Sequence, residues 1–162
     1  MNIRTFDTAD FTDVSAIYQE GIDGGNATFA LKTKTWPEWD AAMLPSCRLV
    51  VEIDHKLVGW AGLSATSTRE AYAGVVEVSV YVSNSAQGMG VGFKLLEALI
   101  AQSESAGFWT LQAAIFTENQ ASIKLHQKCD FKILGVRERL GKMHGVWRDV
   151  VLMERRSDKV GI

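Results

Sequence analysis

The sequence Val75-Val76-Glu77-Val78-Ser79-Val80-Tyr81-Val82 predicts the clearest strand of this chain, and the glycine-rich turn Ser85-Ala86-Gln87-Gly88-Met89-Gly90-Val91-Gly92 follows it. Alternation along the strand places the even-numbered valines on one face and Glu77, Ser79 and Tyr81 on the other. Beyond the turn, apolar residues at helical spacing predict a helix over about Gly90–Glu104, and a strand over Thr110–Phe116 comes next. A strand, a helix and a strand in this order predict two parallel neighbours in one sheet.

The segments on either side of this unit predict the other elements. A strand over Asn2–Phe6 comes first, and a helix follows that is capped by Asp10 and ends at Gly24-Gly25. A second helix over Trp36–Leu44 begins at a capping box formed by Thr35 and Glu38. The strands Arg48–Ile53 and Leu57–Thr66 then form a hairpin. After the central strand–helix–strand unit lie a helix over Asn119–Lys128 and strands over Lys132–Leu140 and Val146–Met153. Because hairpins dominate the connections, we expect an α+β fold with a mixed, mostly antiparallel central sheet and helices on both faces.

Composition limits the domain count and the kinds of partner. The chain has 162 residues, 47% apolar and 22% charged, without linkers or repeats, so we expect one domain over 1–162 with a polar tail over about 155–162. Seventeen basic and nineteen acidic residues give a net charge of −2, which disfavours nucleic acid and anionic membranes as partners. No apolar run could cross a bilayer and no secretory signal is recognisable, so the expected location is the cytoplasm. Two cysteines and three scattered histidines match no disulfide scaffold or metal motif, and we expect no metal site.

The turn from Gln87 to Gly92 has the character of an anion site. Gly88, Gly90 and Gly92 alternate at the start of a helix, where free N–H groups and the positive helix end attract phosphate. A merely tight connection is the alternative, but three alternating glycines exceed what it requires. The spacing is neither the G-x-G-x-x-G of dinucleotide folds nor a Walker motif, and no acidic residue ends the next strand. A cofactor with a pantetheine arm therefore fits this turn better than a dinucleotide does.

Several motifs of the chain resemble the GNAT superfamily of acetyl-CoA-dependent N-acetyltransferases. The cofactor loop of that superfamily, Gln/Arg-x-x-Gly-x-Gly/Ala, is matched by Gln87-x-x-Gly90-x-Gly92. Nearly the whole chain resembles one branch, the phosphinothricin and methionine sulfoximine acetyltransferases. The motifs that carry this resemblance are Ala27-Thr28-Phe29, Arg69-x-Ala71-Tyr72, Val76-Glu77-x-Ser79-Val80-Tyr81-Val82, Asn119-x-x-Ser122-x-x-Leu125-His126 and Gly141-x-x-His144-Gly145-x-Trp147-x-Asp149-Val150.

The resemblance implies that a substrate amine attacks the thioester of acetyl-CoA directly. Backbone N–H groups around Tyr81 and Val82, where a bulge splays the central strand from its neighbour, would stabilise the oxyanion. Glu77 is the expected general base, acting directly or through water, because a carboxylate on a valine-rich strand is costly to bury without a function. An edge-facing surface glutamate is the alternative.

The resemblance also assigns parts to the helix that begins near Asn119. Asn119 and Ser122 would contact the cofactor together with the glycine turn, although Asn119 could simply cap its helix. His126 stands where many members of the superfamily carry a tyrosine that protonates the coenzyme A thiolate. It is therefore the expected second catalytic residue, unless it only orients its neighbours.

Acceptor contacts and assembly are further implications of the resemblance. Arg69, with Tyr72, would clamp a substrate carboxylate, and Phe29 would cover the substrate side chain; an exposed loop arginine and a core-packing aromatic are the alternatives. The final hairpin would contribute to a homodimer.

The implied activity is transfer of acetyl from acetyl-CoA to the α-amine of a small amino-acid-like compound such as methionine sulfoximine, methionine sulfone or phosphinothricin, in detoxification. Two alternatives stay open. One is an acetyltransferase for proteins, peptides or polyamines, and the other is a non-catalytic acyl-CoA-binding sensor.

Overall fold

A computed structural model describes residues 1–162 as one seven-stranded sheet with four α-helices. The strands are β1 (Asn2–Thr5), β2 (Leu49–Ile53), β3 (Lys56–Ala65), β4 (Val75–Val82), β5 (Thr110–Phe116), β6 (Lys132–Met143) and β7 (Val146–Arg156). The helices are α1 (Phe11–Asp23), α2 (Trp36–Ala42), α3 (Val91–Ser105) and α4 (Gln120–Lys128). Single 3-10 turns cover Thr8–Asp10, Glu70–Tyr72 and Asn84–Ala86.

The sheet has the order β1-β2-β3-β4-β5-β7-β6. Every neighbouring pair is antiparallel except β4 and β5, which run parallel because α3 connects them. The predicted mixed, mostly antiparallel sheet is therefore confirmed, and so is the predicted parallel pair around the glycine turn.

Helices cover both faces of this sheet, as predicted. On one face, the even-numbered valines of β4 pack with Leu95, Leu96 and Leu99 of α3 in the main core, which also includes Ile123 of α4. On the other face, α1 and α2 enclose a smaller core around Trp39 and Trp60. The odd-numbered face of β4, which carries Glu77 and Tyr81, therefore points toward the α1 and α2 side.

The capping interactions agree with the sequence at one helix and differ at another. Thr35 and Glu38 form the predicted capping box of α2, which ends at Ala42, short of the predicted Leu44. Asp10 stands at the start of α1 but makes no side-chain hydrogen bond that caps this helix. Its carboxylate instead accepts hydrogen bonds from Arg4 and from the backbone N of Asp7, all at 2.8 Å, and the second of these completes the capping box of the preceding 3-10 turn. The predicted cap of α1 is wrong because the Arg4 guanidinium and the Asp7 N–H occupy the same oxygens.

The final hairpin is longer than predicted. β6 continues past Leu140 to Met143 through a register irregularity at which Arg139 has a φ of 47°. The carboxylate of Asp149 accepts the backbone N–H of Arg139 at 2.8 Å, so the irregularity does not end the strand.

The polar tail is held by Arg156 at the end of β7 and by Trp109, the residue before β5. Ser157 donates its backbone N–H to Trp109 O at 2.8 Å, and the Arg156 guanidinium donates to Val160 O at 2.9 Å. No helix of the protein is long and apolar enough to cross a membrane. Histidine, cysteine and acidic side chains form no group of three that could hold a metal ion.

Candidate active site

The parallel strands β4 and β5 separate halfway along β4. Their paired register runs only from Val75 with Thr110 to Glu77 with Gln112. Beyond that point β5 stays paired with β7 up to Phe116, whereas β4 stays paired with β3 up to Val82. A gap therefore opens between β4 and β5, and two cavities of the protein meet there.

The backbone of β4 points unpaired N–H groups into this gap. Ser83 N donates to Val58 O on the β3 side, and Gly74 O accepts from Thr110 N on the β5 side. Because peptide groups alternate along a strand, even-numbered residues of β4 face β5. Val80 and Val82 thus direct their N–H groups into the gap, whereas the N–H of Tyr81 points to β3.

The expected splay of the central strand is present, but the bulge is not. The pairing of β4 with β3 runs without a register shift from Val76 to Val82. The strands part because β5 follows β7, so no extra residue in β4 is needed.

The cavity on the α1 and α2 side, called here the inner cavity, has a volume of about 340 Å³. Its wall includes Glu77, Ser79 and Tyr81 from β4, together with Trp39 and Trp60. The Trp60 ring stacks on the Tyr81 ring with centroids 5.0 Å apart and planes 12° apart, so an aromatic stack forms part of this wall. A small molecule with an apolar side chain fits a cavity with such a wall.

Glu77 is half-buried in the inner cavity and has neither a cation nor a hydrogen-bond donor beside it. Burial alone raises the pKa of its carboxyl above the usual range. Burial likewise raises the pKa of the Tyr81 phenol, with Tyr18 and Glu77 nearby, so the phenol stays protonated. A carboxylate with a raised pKa and access to a cavity is suited to accept a proton.

The cavity on the α3 and α4 side, called here the outer groove, has a volume of about 570 Å³. It follows the glycine turn, and no backbone N–H from Gly88 to Phe93 donates a hydrogen bond within the protein. The first turn of α3 also directs its free N–H groups into the outer groove. An anion bound in the groove at this point would contact a row of hydrogen-bond donors and the positive end of a helix.

The glycines of the turn are needed for two different reasons. Gly88 and Gly90 have φ values of 75° and 76°, in the left-handed region, with open space where a Cβ would stand. At Gly92 a Cβ would lie 3.1 Å from Leu125, so the requirement there is close packing of α3 against α4.

The other predicted residues of the turn have distinct positions. Gln87 turns its side chain back and donates to Val82 O at 3.1 Å. The Met89 side chain is exposed outside the groove, and the Val91 side chain is buried in the core, so these two residues offer only their backbone.

Asn119, Ser122 and the β4 residues Val80 and Tyr81 line both cavities, which places them at the junction. Asn119 caps α4 by accepting Ser122 N at 3.2 Å, and its Nδ2 donates to Asn26 O at 3.1 Å. The capping alternative is therefore realised, and both ends of the Asn119 amide are engaged within the protein.

His126 is buried on the wall of the inner cavity. Its Nδ1 lies 2.7 Å from Ser122 O, and since a carbonyl only accepts, Nδ1 carries the hydrogen. Burial lowers the pKa of the imidazole, which is therefore neutral with a bare Nε2.

Phe29 forms part of the inner cavity wall, from which it could cover a bound side chain. Its ring packs edge-on against Phe116 with centroids 4.7 Å apart, and a Cβ on Gly141 would lie 2.8 Å from it. The glycine of the final hairpin thus leaves room for this aromatic ring.

Arg69 and Tyr72 do not reach the inner cavity. Both are exposed, and the Arg69 guanidinium lies 5.4 Å from the centroid of the Tyr72 ring. Within one chain the predicted clamp is therefore not in contact with the inner cavity.

Three lysines at the cavities were not among the residues predicted from the sequence. Lys124 and Lys128 of α4 line the outer groove, and Lys34 lines the inner cavity. The spacing of four between Lys124 and Lys128 was a readable signal, since it places both on one side of a helix.

Comparisons with known proteins agree with this geometry. Residues 17–131 match the model of the acetyltransferase (GNAT) family. An L-methionine sulfoximine/L-methionine sulfone acetyltransferase of Pseudomonas paraeruginosa is 30% identical over 97% of this chain and 95% of its own length. A phosphinothricin N-acetyltransferase of Alcaligenes faecalis is 35% identical over 94% of this chain and 81% of its own length.

A solved structure shows the same fold. An acetyltransferase from Salmonella typhimurium, determined with its cofactor acetyl-CoA, superposes with a TM-score of 0.91 at 29% identity and covers 100% of this chain and 96% of its own. The resemblance drawn from the sequence motifs is thereby confirmed.

Proposed function

The chain belongs to the acetyltransferase (GNAT) family, and we propose that it transfers the acetyl group of acetyl-CoA to the α-amine of a small amino-acid-like acceptor. Methionine sulfoximine, methionine sulfone and phosphinothricin are the proposed acceptors, on the strength of the relatives described above. The proposal takes residues 1–162 as one catalytic domain, because a single sheet draws its strands from Asn2 to Arg156.

One observation carries this proposal: the unpaired carboxylate of Glu77 and the unpaired N–H groups of Val80 and Val82 lie on one strand, at a gap where two cavities meet. Acetyl-CoA fits the outer groove, since the row of free N–H groups after Gly88 suits its pyrophosphate and Lys124 and Lys128 add positive charge. The acceptor occupies the inner cavity, and its amine meets the thioester at the junction.

Glu77 removes the proton that makes the acceptor an ammonium ion, directly or through one water molecule, and this proton passes to solvent. The neutral amine then forms a bond to the thioester carbon. When the carbon–sulfur bond breaks, the second N–H proton, which the nitrogen loses as the amide forms, ends on the thiolate, so the products are the amide, the free thiol and one proton, without a covalent enzyme intermediate.

The backbone of β4 stabilises the charge that develops on the carbonyl oxygen. Val82 and Val80 direct N–H groups into the gap without needing to move, and such preorganised donors are typically worth ~10²–10³ in rate. Of the two residues singled out in the sequence, Val82 fits this part, while Tyr81 contributes its ring to the acceptor cavity.

We assign His126 a positioning part. Its Nδ1–H is committed to Ser122 O, and its bare Nε2 can accept but not donate a hydrogen bond. A neutral imidazole in this tautomer holds the start of α4, and with it Asn119 and Ser122, at the junction.

The proposed physiological part is the inactivation of toxic amino-acid analogues. Acetylation removes the positive charge of the α-amine, and a protein that recognises the free amino acid through that charge would no longer bind the product.

We also propose a homodimer formed through the final hairpin. β6 is an edge strand whose residues from Lys132 to Leu140 are all exposed. Large apolar side chains are among them and continue onto β7, namely Ile133, Leu134, Val136, Leu140, Val146 and Trp147. A long apolar edge strand is a liability unless it is covered, and a second copy of the hairpin would cover it.

The proposal is tested by following free thiol release from acetyl-CoA with a panel of amines: the three acceptors named above, ordinary amino acids, polyamines and a lysine peptide. We expect turnover with the amino-acid analogues. Turnover only with the peptide or polyamines would contradict the acceptor class, and tight acetyl-CoA binding without turnover would favour an acyl-CoA sensor.

A further inference from the structure

Lys34 is the one lysine or arginine on the wall of the inner cavity. Its Nζ lies 5.4 Å from the centroid of the Tyr18 ring, and no ion pair joins it to a carboxylate. The next carboxylate along the chain after Lys34 is that of Glu38. Its Oε2 accepts a hydrogen bond from the backbone N–H of Thr35 at 2.8 Å. The ammonium group is therefore available to a ligand of the cavity.

The segment that carries Lys34 is fixed at both ends. Its start is held by Arg148, which donates to Gly25 O at 3.0 Å and to Asn26 Oδ1 at 2.6 Å. Its end runs into Thr35, whose backbone and side chain form the capping box of α2. The backbone of Lys34 therefore has a defined position, and its ammonium group makes a cation–π interaction with the Tyr18 ring.

The charges of the inner cavity have a simple pattern. Glu77 is its one carboxylate and Lys34 its one ammonium, and neither forms an ion pair in the protein, although Glu38 of α2 lies close enough to interact with the charge of Lys34. His126, the remaining titratable base on the wall, is neutral. A ligand that carries an amine and an acidic group complements this pair, with the amine toward Glu77 and the acidic group toward Lys34.

We propose that Lys34 binds the α-carboxylate of the acceptor and thereby makes the inner cavity selective for amino acids over simple amines. This inference rests on the proposed function and deepens it. Arg69, the cation that the sequence favoured for the same task, lies exposed outside the cavity, stacked on Tyr72.

The same charge excludes other amines. A polyamine or a lysine-rich peptide whose amine is directed at Glu77 would bring a second cation into the cavity that contains Lys34. Like charges in a partly desolvated site repel, so Lys34 discriminates against these acceptors as well as attracting carboxylates.

The test compares two acceptors that differ only in the carboxylate: methionine sulfone and the amine that remains when its carboxylate is replaced by hydrogen. Kinetics are measured by thiol release for the unaltered protein, Lys34→Met, Lys34→Arg, Arg69→Met and Lys32→Met. Lys32 is a matched control, because it is an exposed lysine of the same segment that does not line the cavity.

We expect Lys34→Met to lower kcat/KM for methionine sulfone by about 30-fold or more, mainly through KM, because a partly buried charged hydrogen bond is lost. The carboxylate-free amine should change by about twofold or less, and Lys34→Arg should restore most of the loss for methionine sulfone. Lys32→Met should behave like the unaltered protein with both acceptors.

Three outcomes would overturn the inference. Equal losses with both acceptors would show that Lys34 only supports the segment, and a selective loss in Arg69→Met instead would return the task to Arg69. If the unaltered protein uses both acceptors equally well, acetyl transfer stands but carboxylate recognition does not. Absence of turnover by the unaltered protein with every amine would instead contradict the proposed function itself.

Discussion

Glu77 and Gln112 form the last pair of the parallel ladder between β4 and β5, and the two strands separate immediately beyond them. The pair therefore marks the boundary between a paired sheet and an open junction. On the open side, one strand offers a proton acceptor through the side chain of Glu77 and hydrogen-bond donors through the backbone of Val80 and Val82. Both kinds of group belong to the same paired strand, so their relative position does not depend on the loops.

The first prediction concerns Glu77 as the general base. Glu77→Gln should lower kcat at least tenfold, because general-base assistance contributes ~10²–10⁴ in rate. The dissociation constant for acetyl-CoA should stay within about twofold, since Glu77 lines the inner cavity and not the outer groove. Thiol-release kinetics and calorimetric titration measure the two quantities. Ser79→Ala, a neutral change on the same wall, is the control, and full activity in Glu77→Gln would remove Glu77 from the mechanism.

A second prediction follows from the raised pKa of Glu77. The unfolded chain releases this proton near pH 4.5 and the folded protein only at a higher pH, so the folded state loses stability as the pH rises from 4.5 through the folded-state pKa. Glu77→Gln removes that penalty and should raise the melting temperature at pH 8, while the difference should vanish at pH 4. Thermal unfolding at both pH values measures it. As a control, Ser79→Ala should change the melting temperature by the same amount at pH 4 and at pH 8. If Glu77→Gln is less stable than the unaltered protein at pH 8, the carboxylate must have a stabilising partner.

The central unit could be predicted from sequence because it depends on local patterns. Val75–Val82 has the alternation of a strand, and the left-handed φ of Gly88 and Gly90 is a conformation that glycine adopts without strain. The separation of β4 from β5 could not be derived in this way, because it depends on where Phe116 and its neighbours pair with β7.

The acceptor contacts depend even more on tertiary structure. Arg69 and Lys34 are both loop cations in the sequence, and only the folded chain shows that Lys34 reaches the cavity and Arg69 does not. Asp10 is a similar case. Its position in the sequence is typical of a helix cap, but its carboxylate accepts hydrogen bonds from Arg4 of β1.

A third prediction separates conformational strain from cofactor binding. Gly90→Ala forces an alanine into the left-handed region at the start of α3, which costs about 1–2 kcal/mol. Because Gly90 lies within the row of free N–H groups, we expect acetyl-CoA to bind at least about fivefold more weakly. Gly107→Ala is the matched control, since Gly107 has a φ of 88° with open space around it and lies outside the outer groove. It should lower the melting temperature similarly without changing acetyl-CoA affinity; equal affinities for both variants would contradict the anion site.

The fourth prediction concerns the exposed hairpin. Light scattering should give twice the chain mass of 17.8 kDa, and Val136→Lys should shift it to the single-chain mass by placing a charge on the apolar edge strand. Leu31→Lys makes the same kind of change at an exposed apolar residue outside the hairpin strands and should leave the dimer intact. A single-chain mass for the unaltered protein would contradict the proposed dimer.

The last prediction distinguishes two parts for His126. Since its Nδ1–H is committed to Ser122 O and burial lowers the imidazole pKa, His126 has no proton to offer the departing thiolate near neutral pH. His126→Asn retains a donor near the Nδ1 position and should keep kcat within about tenfold, below the ~10²–10⁴ expected for loss of a general acid. His126→Gln places an amide near the Nε2 position instead and should weaken the hold on Ser122, which thermal unfolding would register as lower stability. A loss of a hundredfold or more in both variants, with the alkaline limb of the kcat profile abolished and folding intact, would show that His126 is the acid after all.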